Sequence, residues 1–95
     1  MQFTRKLREP IKRGEVTTSI RIWKRPHVKV GGRYKLEEGQ IVVTSMYEIS
    51  FEDISETMAK QSGFNNLLDL IKTARHGEGN IVYFIRFEYE PDLLT

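Results

Sequence analysis

The chain has 95 residues, of which 39% are hydrophobic and 29% are charged, and it contains no cysteine. This length supports one domain, residues 1–95, and the composition is that of a folded globular protein with a modest core. No apolar run approaches the roughly 18 residues that cross a bilayer, no secretory signal is recognisable, and disulfides and thiolate metal sites are excluded. We therefore expect a cytoplasmic protein with no membrane partner, and no metal or cofactor is indicated.

The first predicted element is a short helix within residues 5–13, RKLREPIKR. Leu7 and Ile11 lie four positions apart, as on one face of a helix, and Gly14 suits a C-terminal stop. Pro10 lies inside this stretch, so we expect it near the start of the helix or at a kink. The helix then begins either at the start of the stretch or only after Glu9.

Strands are predicted next. TTSIRIW at 17–23 alternates strictly and is rich in β-branched residues, as strands are. Residues 24–32 contain Pro26 and two consecutive glycines and are expected to form a loop. Two further strands, 33–37 and 41–50, follow on either side of a turn.

From residue 52 the hydrophobic spacing changes to three and four, which predicts two helices joined near Gly63. Asn65 or Asn66 is expected to cap the second helix, and Arg75 and His76 to lie at its C-terminal end. The stretch NIVYFIRFEYE predicts a strand that is apolar on both faces at its start and therefore central, before a tail that packs loosely through its two leucines. The order of elements indicates an α+β domain, and parallel winding is disfavoured because only one connection is long enough for a crossover helix.

The charge is divided unevenly along the chain. Residues 1–35 hold eleven of the 15 Lys and Arg but only two acids, a net charge of +9, whereas residues 36–95 hold four basic residues and eleven acids, a net charge of −7. Clustered basic residues favour a polyanion partner, since they release counterions from a phosphate backbone. The alternative is that the two parts neutralise each other across the fold.

One face of the first strand carries the candidate binding residues, because alternate side chains of a strand share a face. These side chains are Thr17, Ser19, Arg21 and Trp23. A guanidinium offers a planar fork to a phosphate or a base edge, and an indole offers a stacking surface. Each also has a structural interpretation: Arg21 as an ion-pair partner of an acid, Trp23 as a core-edge residue, and the hydroxyls as partners of the backbone.

Further basic residues extend this surface. Lys24, Arg25 and Lys29 follow in the predicted loop, and Lys12 and Arg13 are expected to flank it. Basic residues interleaved with an aromatic are typical of a platform for single-stranded nucleic acid. We therefore predict RNA as the partner, bound without catalysis.

The spacing of several residues resembles the ASCH domain family of the PUA-like superfamily over Leu7 to Phe87. The stretches that carry the resemblance are Gly14 followed by Ser19 and Arg21, then KVGGRY, and later SGF. The resemblance implies a small PUA-like mixed β-barrel with two or three helices, and a cleft that faces RNA.

Some members of that family are amidohydrolases that remove acyl groups from modified cytidine with a lysine, a threonine and a downstream acid. The lysine position is Val16 here and the acid position aligns near Ser62, so two of the three groups are replaced. A hydroxyl is a poor nucleophile without a base beside it. Glu15 and Glu56 are nearby acids that could substitute, but nothing in the spacing requires it. We therefore expect no conserved amidohydrolase chemistry.

Two other functions stay open. The first is a small hydrolase, either a ribonuclease or an acylcytidine amidohydrolase, in which Ser19 and Arg21 act with an acid that the spacing does not reveal. The second is a recognition module that binds a protein or a small, nucleotide-like acidic ligand in the cleft.

Overall fold

The computed structural model describes residues 1–74 and 79–91. Within them, no helix is of the length and apolarity that crossing a membrane requires. The elements in chain order are α1 (Arg5–Lys12), β1 (Thr18–Trp23), β2 (Arg33–Leu36), β3 (Gly39–Ile49), a short 3-10 helix (Phe51–Asp53), α2 (Glu56–Gln61), α3 (Leu67–Ala74) and β4 (Ile81–Pro91).

The four strands form one curled sheet in the order β1-β4-β3-β2, and neighbouring strands are antiparallel. In the register of the β1–β4 pair, Arg21 lies opposite Tyr83. A register shift between Val43 and Ser45 interrupts the β3 ladder, and such bulges bend a strand and increase its twist. The α+β prediction is confirmed, and so is the central position of the last strand.

Both faces of β1 are covered. On one face Ile20 and Ile22 pack with Leu70 and Ala74 of α3 in an apolar cluster. On the opposite face Trp23 packs with Tyr83 in a second cluster. In a third cluster, α1 and the N-terminal segment pack against Phe87 of β4. Burial of apolar side chains on both faces is the main stabilising contribution that such a small sheet can obtain.

Helix α1 begins at Arg5 and contains Pro10 at its sixth position, so the alternative start after Glu9 is wrong. The proline lacks an N–H and removes one intrahelical hydrogen bond, which costs stability. Ile11, 1% exposed, packs beneath the helix beside Phe3 and Phe87 and offsets that loss. The amphipathic face of α1 therefore matters more than its intrinsic propensity.

The two later helices match their predicted positions. Ser55 caps α2 by accepting a hydrogen bond from the N–H of Met58, and Gly63, at φ 90°, turns the chain between the helices. Asn66 caps α3, because its Oδ1 accepts from the N–H of Asp69 at 2.8 Å. The predictions for Arg75, His76, Leu93 and Leu94 fall on residues outside the described ranges.

Candidate functional site

A cleft of about 500 Å³ lies along the outer side of β1. Strand β1 is at one edge of the sheet, so no neighbouring strand covers this side. The cleft is bounded by the first residues of the chain and the first turn of α1, by residues 19–21 of β1, and by the segment from 62–64 to the end of α3. Volumes of this size are usual for sites that bind small molecules.

Arg21 is the central polar residue of the cleft. Its Nε donates a hydrogen bond to Ser19 Oγ at 2.9 Å, one terminal nitrogen donates to the carbonyl oxygen of Gln2 at 2.6 Å, and its guanidinium carbon lies 5.0 Å from the centroid of the Phe3 ring. Desolvation by burial lowers the pKa of this guanidinium, which nevertheless stays charged at neutral pH. The side chain is thus held in place from two directions.

No carboxylate of the described residues lies within ion-pair distance of Arg21. Among the same residues, the second terminal nitrogen, Nη1, has no hydrogen-bond acceptor. Among the described residues, Arg21 therefore does not act as the ion-pair partner of an acid. A partly buried cation with unused donors in an open cleft is suited to accept a ligand.

Two buried hydroxyls form a second polar contact beside the cleft. Thr18 Oγ1 and Ser62 Oγ are 2.8 Å apart, and each can donate to the other. Ser62 is only 2% exposed. It is the C-cap residue of α2, and its side chain contacts β1 through Thr18. Ser62 therefore supplies a hydroxyl that joins the C-terminal end of α2 to β1 beside the cleft.

Lys6 and Asp69 are the other ionisable side chains in the described wall of the cleft. The Oδ2 atom of Asp69 accepts from the N–H of Asn65 at 2.9 Å, which leaves Oδ1 as an acceptor. Neither residue was expected at the site from the sequence. The one signal for Lys6 is that the first turn of α1 has no acid, although acids are favoured at helix N-termini.

The prediction that Trp23 offers an open stacking surface is wrong. Its side chain is on the same strand face as Arg21, but the residue is 4% exposed. The indole packs 5.7 Å from the Tyr83 ring and 4.8 Å from the His27 ring, measured between centroids. Loop 24–32 folds back over this end of the strand with Val28 in the same apolar cluster, and this tertiary contact covers the ring.

The loop cations are at the surface. Lys24, Arg25 and Lys29 are exposed and form no ion pair with another described residue. They do not line the cleft, and neither does Thr17, which is exposed just before β1. The loop is anchored at one point, where the N–H of Lys29 donates to Tyr34 Oη at 3.0 Å.

The expectation that Lys12 and Arg13 flank an open basic surface is also corrected. Lys12 contacts Glu38 and Glu9, and the hydrogen bond to Glu38 raises the pKa of Lys12. Arg13 donates from Nε to Glu15 at 2.6 Å. Both side chains lie at the C-terminal end of α1, whereas the cleft is at its N-terminal end.

The two oppositely charged parts of the chain neutralise each other only in part. Three ion pairs connect them: Arg8 with Glu37, Lys12 with Glu38, and Arg33 with Glu90. The basic residues of the first part that form no ion pair with a described residue are Arg5, Lys6, Arg21, Lys24, Arg25, Lys29 and Lys35. Much of the positive charge of residues 1–35 is thus available to a partner.

The cleft brings together Ser19, Arg21 and the segment 62–64, which are separated by about forty residues in sequence. Val16 is buried in the apolar cluster beneath α1 and is not part of the wall. The described residues contain no group of three or more His, Asp or Glu side chains that could hold a metal ion.

Comparison with models of protein families, with curated proteins and with solved structures finds no match for this chain.

Proposed function

We propose that this protein is an RNA-binding domain in which an unpaired nucleotide enters the Arg21 cleft. The observation that carries the proposal is the partly buried guanidinium of Arg21, which has unused donors and no carboxylate partner among the described residues. Sequence-specific recognition of RNA mostly targets unpaired bases, whose edges and faces are open to side chains. Arginine suits that task because it is a planar donor.

The exposed cations supply the electrostatic part of the interaction. Arg5 and Lys6 are exposed in the first turn of α1, where Lys6 lines the cleft. Lys24, Arg25 and Lys29 lie in the loop after β1. Contacts of such side chains with phosphates provide affinity without sequence preference and release counterions. Affinity should therefore fall steeply as the salt concentration rises.

The test is fluorescence anisotropy with a single-stranded octanucleotide at two salt concentrations. Arg21→Met should weaken binding about tenfold or more, in line with the loss of a well-formed arginine contact. Arg86→Met is the matched control, because it removes an exposed arginine that stacks on Phe84 away from the cleft. Equal losses in both variants, or none in either, would reject the Arg21 site.

A second variant separates the phosphate contacts from the cleft. The double change of Lys24 and Arg25 to alanine should weaken binding to every sequence and flatten the salt dependence, since each lost phosphate contact lowers the slope. If affinity and slope stay the same, the loop is not part of the surface. Competition by free nucleotides against RNA of different lengths tests the alternative of a small acidic ligand, whose binding would not depend on chain length.

The finer classification as an ASCH domain with a PUA-like barrel is part of this proposal. Its support is that several residues of the resemblance, Ser19, Arg21 and the Ser62–Phe64 segment, line a single cleft although they are distant in sequence. Gly14 and the KVGGRY stretch lie outside that cleft. The curled antiparallel sheet with three helices is compatible with a small barrel. An experimental structure in which the sheet closes into a barrel would support the classification, and a flat sheet would oppose it.

Hydrolysis is the second candidate, and one observation favours it. Asp69 lies in the same cleft as Ser19 and Arg21 and has one oxygen that is not used in the cap of α3. This is an acid that the spacing alone did not identify. Incubation with RNA and with acylated cytidine tests it: turnover that is lost in both Ser19→Ala and Asp69→Asn would establish an enzyme, and absence of turnover in the wild type favours the binding domain.

A further inference from the structure

Two residues at the inner wall of the cleft, Ser19 and Arg21, keep hydrogen-bond donors for a ligand. Ser19 is 4% exposed but, unlike Trp23, lines the cleft. Its Oγ accepts from Arg21 Nε at 2.9 Å, and its own hydrogen has no acceptor among the described residues. The Nη1 group of Arg21 supplies two more N–H donors with no acceptor among the described residues. A guanidinium has no acceptor atom at all. A ligand must therefore present acceptors to this wall.

The number of lone pairs then distinguishes one base from the others. A carbonyl oxygen has two lone pairs and can accept from two neighbouring donors, whereas a ring nitrogen has one. Uracil, cytosine and guanine each carry an exocyclic carbonyl oxygen, and adenine carries only ring nitrogens as acceptors. We propose that the cleft selects an unpaired base by its exocyclic carbonyl oxygen, which Arg21 and Ser19 bind together, and that it discriminates against adenine.

The composition of the wall favours a base over a phosphate at this position. Phe3, Leu7 and Phe64 line the cleft around the guanidinium, so most of the surface near Arg21 is apolar. The carbonyl oxygen of Gln2 adds an acceptor beside the guanidinium, where it would oppose the remaining oxygens of a phosphate. A planar heterocycle fills such a space with a single polar edge directed at the donors.

This inference rests on the proposed function, and its test separates the two. Anisotropy compares octauridylate with octaadenylate on the wild-type protein, on Ser19→Ala and on Thr17→Ala. Wild type should prefer octauridylate by about tenfold, the discrimination expected of one good base contact. Ser19→Ala should reduce that preference by at least threefold, while Thr17→Ala, which removes an exposed hydroxyl outside the cleft, should leave it unchanged.

A second measurement needs no variant. Inosine 5′-monophosphate carries a carbonyl group at position 6 of the purine and a proton on the adjacent ring nitrogen. Adenosine 5′-monophosphate carries an amino group at position 6 and no proton on that nitrogen, and the two nucleotides are otherwise identical. Titration followed by NMR should shift the Arg21 Nε–H signal with the inosine compound at lower concentration than with the adenosine compound. Equal affinity for both oligonucleotides and both nucleotides would overturn carbonyl selection and leave RNA binding intact, whereas absence of any binding would overturn both proposals.

Discussion

The hydroxyl oxygens of Thr18 and Ser62 lie 2.8 Å apart, where the C-terminal end of α2 meets β1. This contact fixes the position of the segment 62–64, which forms one side of the cleft, relative to the strand that carries Arg21. The cleft therefore depends on a hydrogen bond between two buried side chains that are 44 positions apart. Its geometry is set by tertiary structure and not by any one element.

Removing one partner of this pair should destabilise the fold. Ser62→Ala leaves the buried Thr18 hydroxyl without its partner, and an unsatisfied buried polar group costs about 1–3 kcal/mol. The double variant Thr18→Val with Ser62→Ala removes both hydroxyls and should be more stable than Ser62→Ala alone. Urea denaturation of the wild type, Thr18→Val, Ser62→Ala and the double variant measures the difference. A double variant that loses the sum of both single losses would contradict the pair.

Gly63 should tolerate alanine less well than Gly14. Both have positive φ, 90° and 75°, and an alanine in that region costs about 1 kcal/mol. A Cβ at Gly63 would also collide with the side chain of Leu7, whereas a Cβ at Gly14 would meet no atom within 4 Å. Thermal denaturation should therefore show a clearly larger loss for Gly63→Ala, and equal losses would mean that Leu7 moves aside without cost.

The fluorescence of Trp23, the single tryptophan of the chain, should not respond to RNA. The indole is buried against Tyr83 and lies outside the cleft. Its emission should be blue-shifted relative to free tryptophan, weakly quenched by acrylamide, and unchanged at saturating octauridylate. Strong quenching by the oligonucleotide would mean that the ring stacks on a base.

The ion pair and hydrogen bond at Glu90 should contribute to stability at neutral pH and lose that contribution in acid. Hydrogen bonds from Gln40 and Arg33 lower the pKa of Glu90. Because the folded pKa is below the unfolded value near 4.3, the stabilisation is present above that value and is lost as the pH falls through the folded pKa.

Two measurements check this expectation. NMR titration of the Glu90 carboxyl carbon should give a lower pKa in the wild type than in Arg33→Met. The difference in melting temperature between the wild type and Glu90→Gln should shrink as the pH falls from 7 to 3. A pKa that is the same in both proteins would show that Arg33 does not stabilise the carboxylate.

Much of the fold follows from local pattern. The alternation of TTSIRIW, the helical spacing after residue 52 and the breaks at glycine predict elements within a few residues of where they lie, because each depends on neighbours in the chain. The start of α1 was open in the sequence, since the unfavourable Pro10 is outweighed only by burial of Ile11 against distant residues. The curl of the sheet also has no local signal.

The sequence likewise predicts one part of the candidate site, and the other part depends on tertiary structure. The sequence by itself determined that Ser19, Arg21 and Trp23 share a strand face, because the period of a strand is two. Only the tertiary structure decided that the loop after β1 covers Trp23 and that Lys12 and Arg13 pair with acids. It also decided that Arg21 lines a cleft together with Lys6 and Asp69. The physical reason is that burial and ion pairing depend on residues brought together across the whole chain, which no local period encodes.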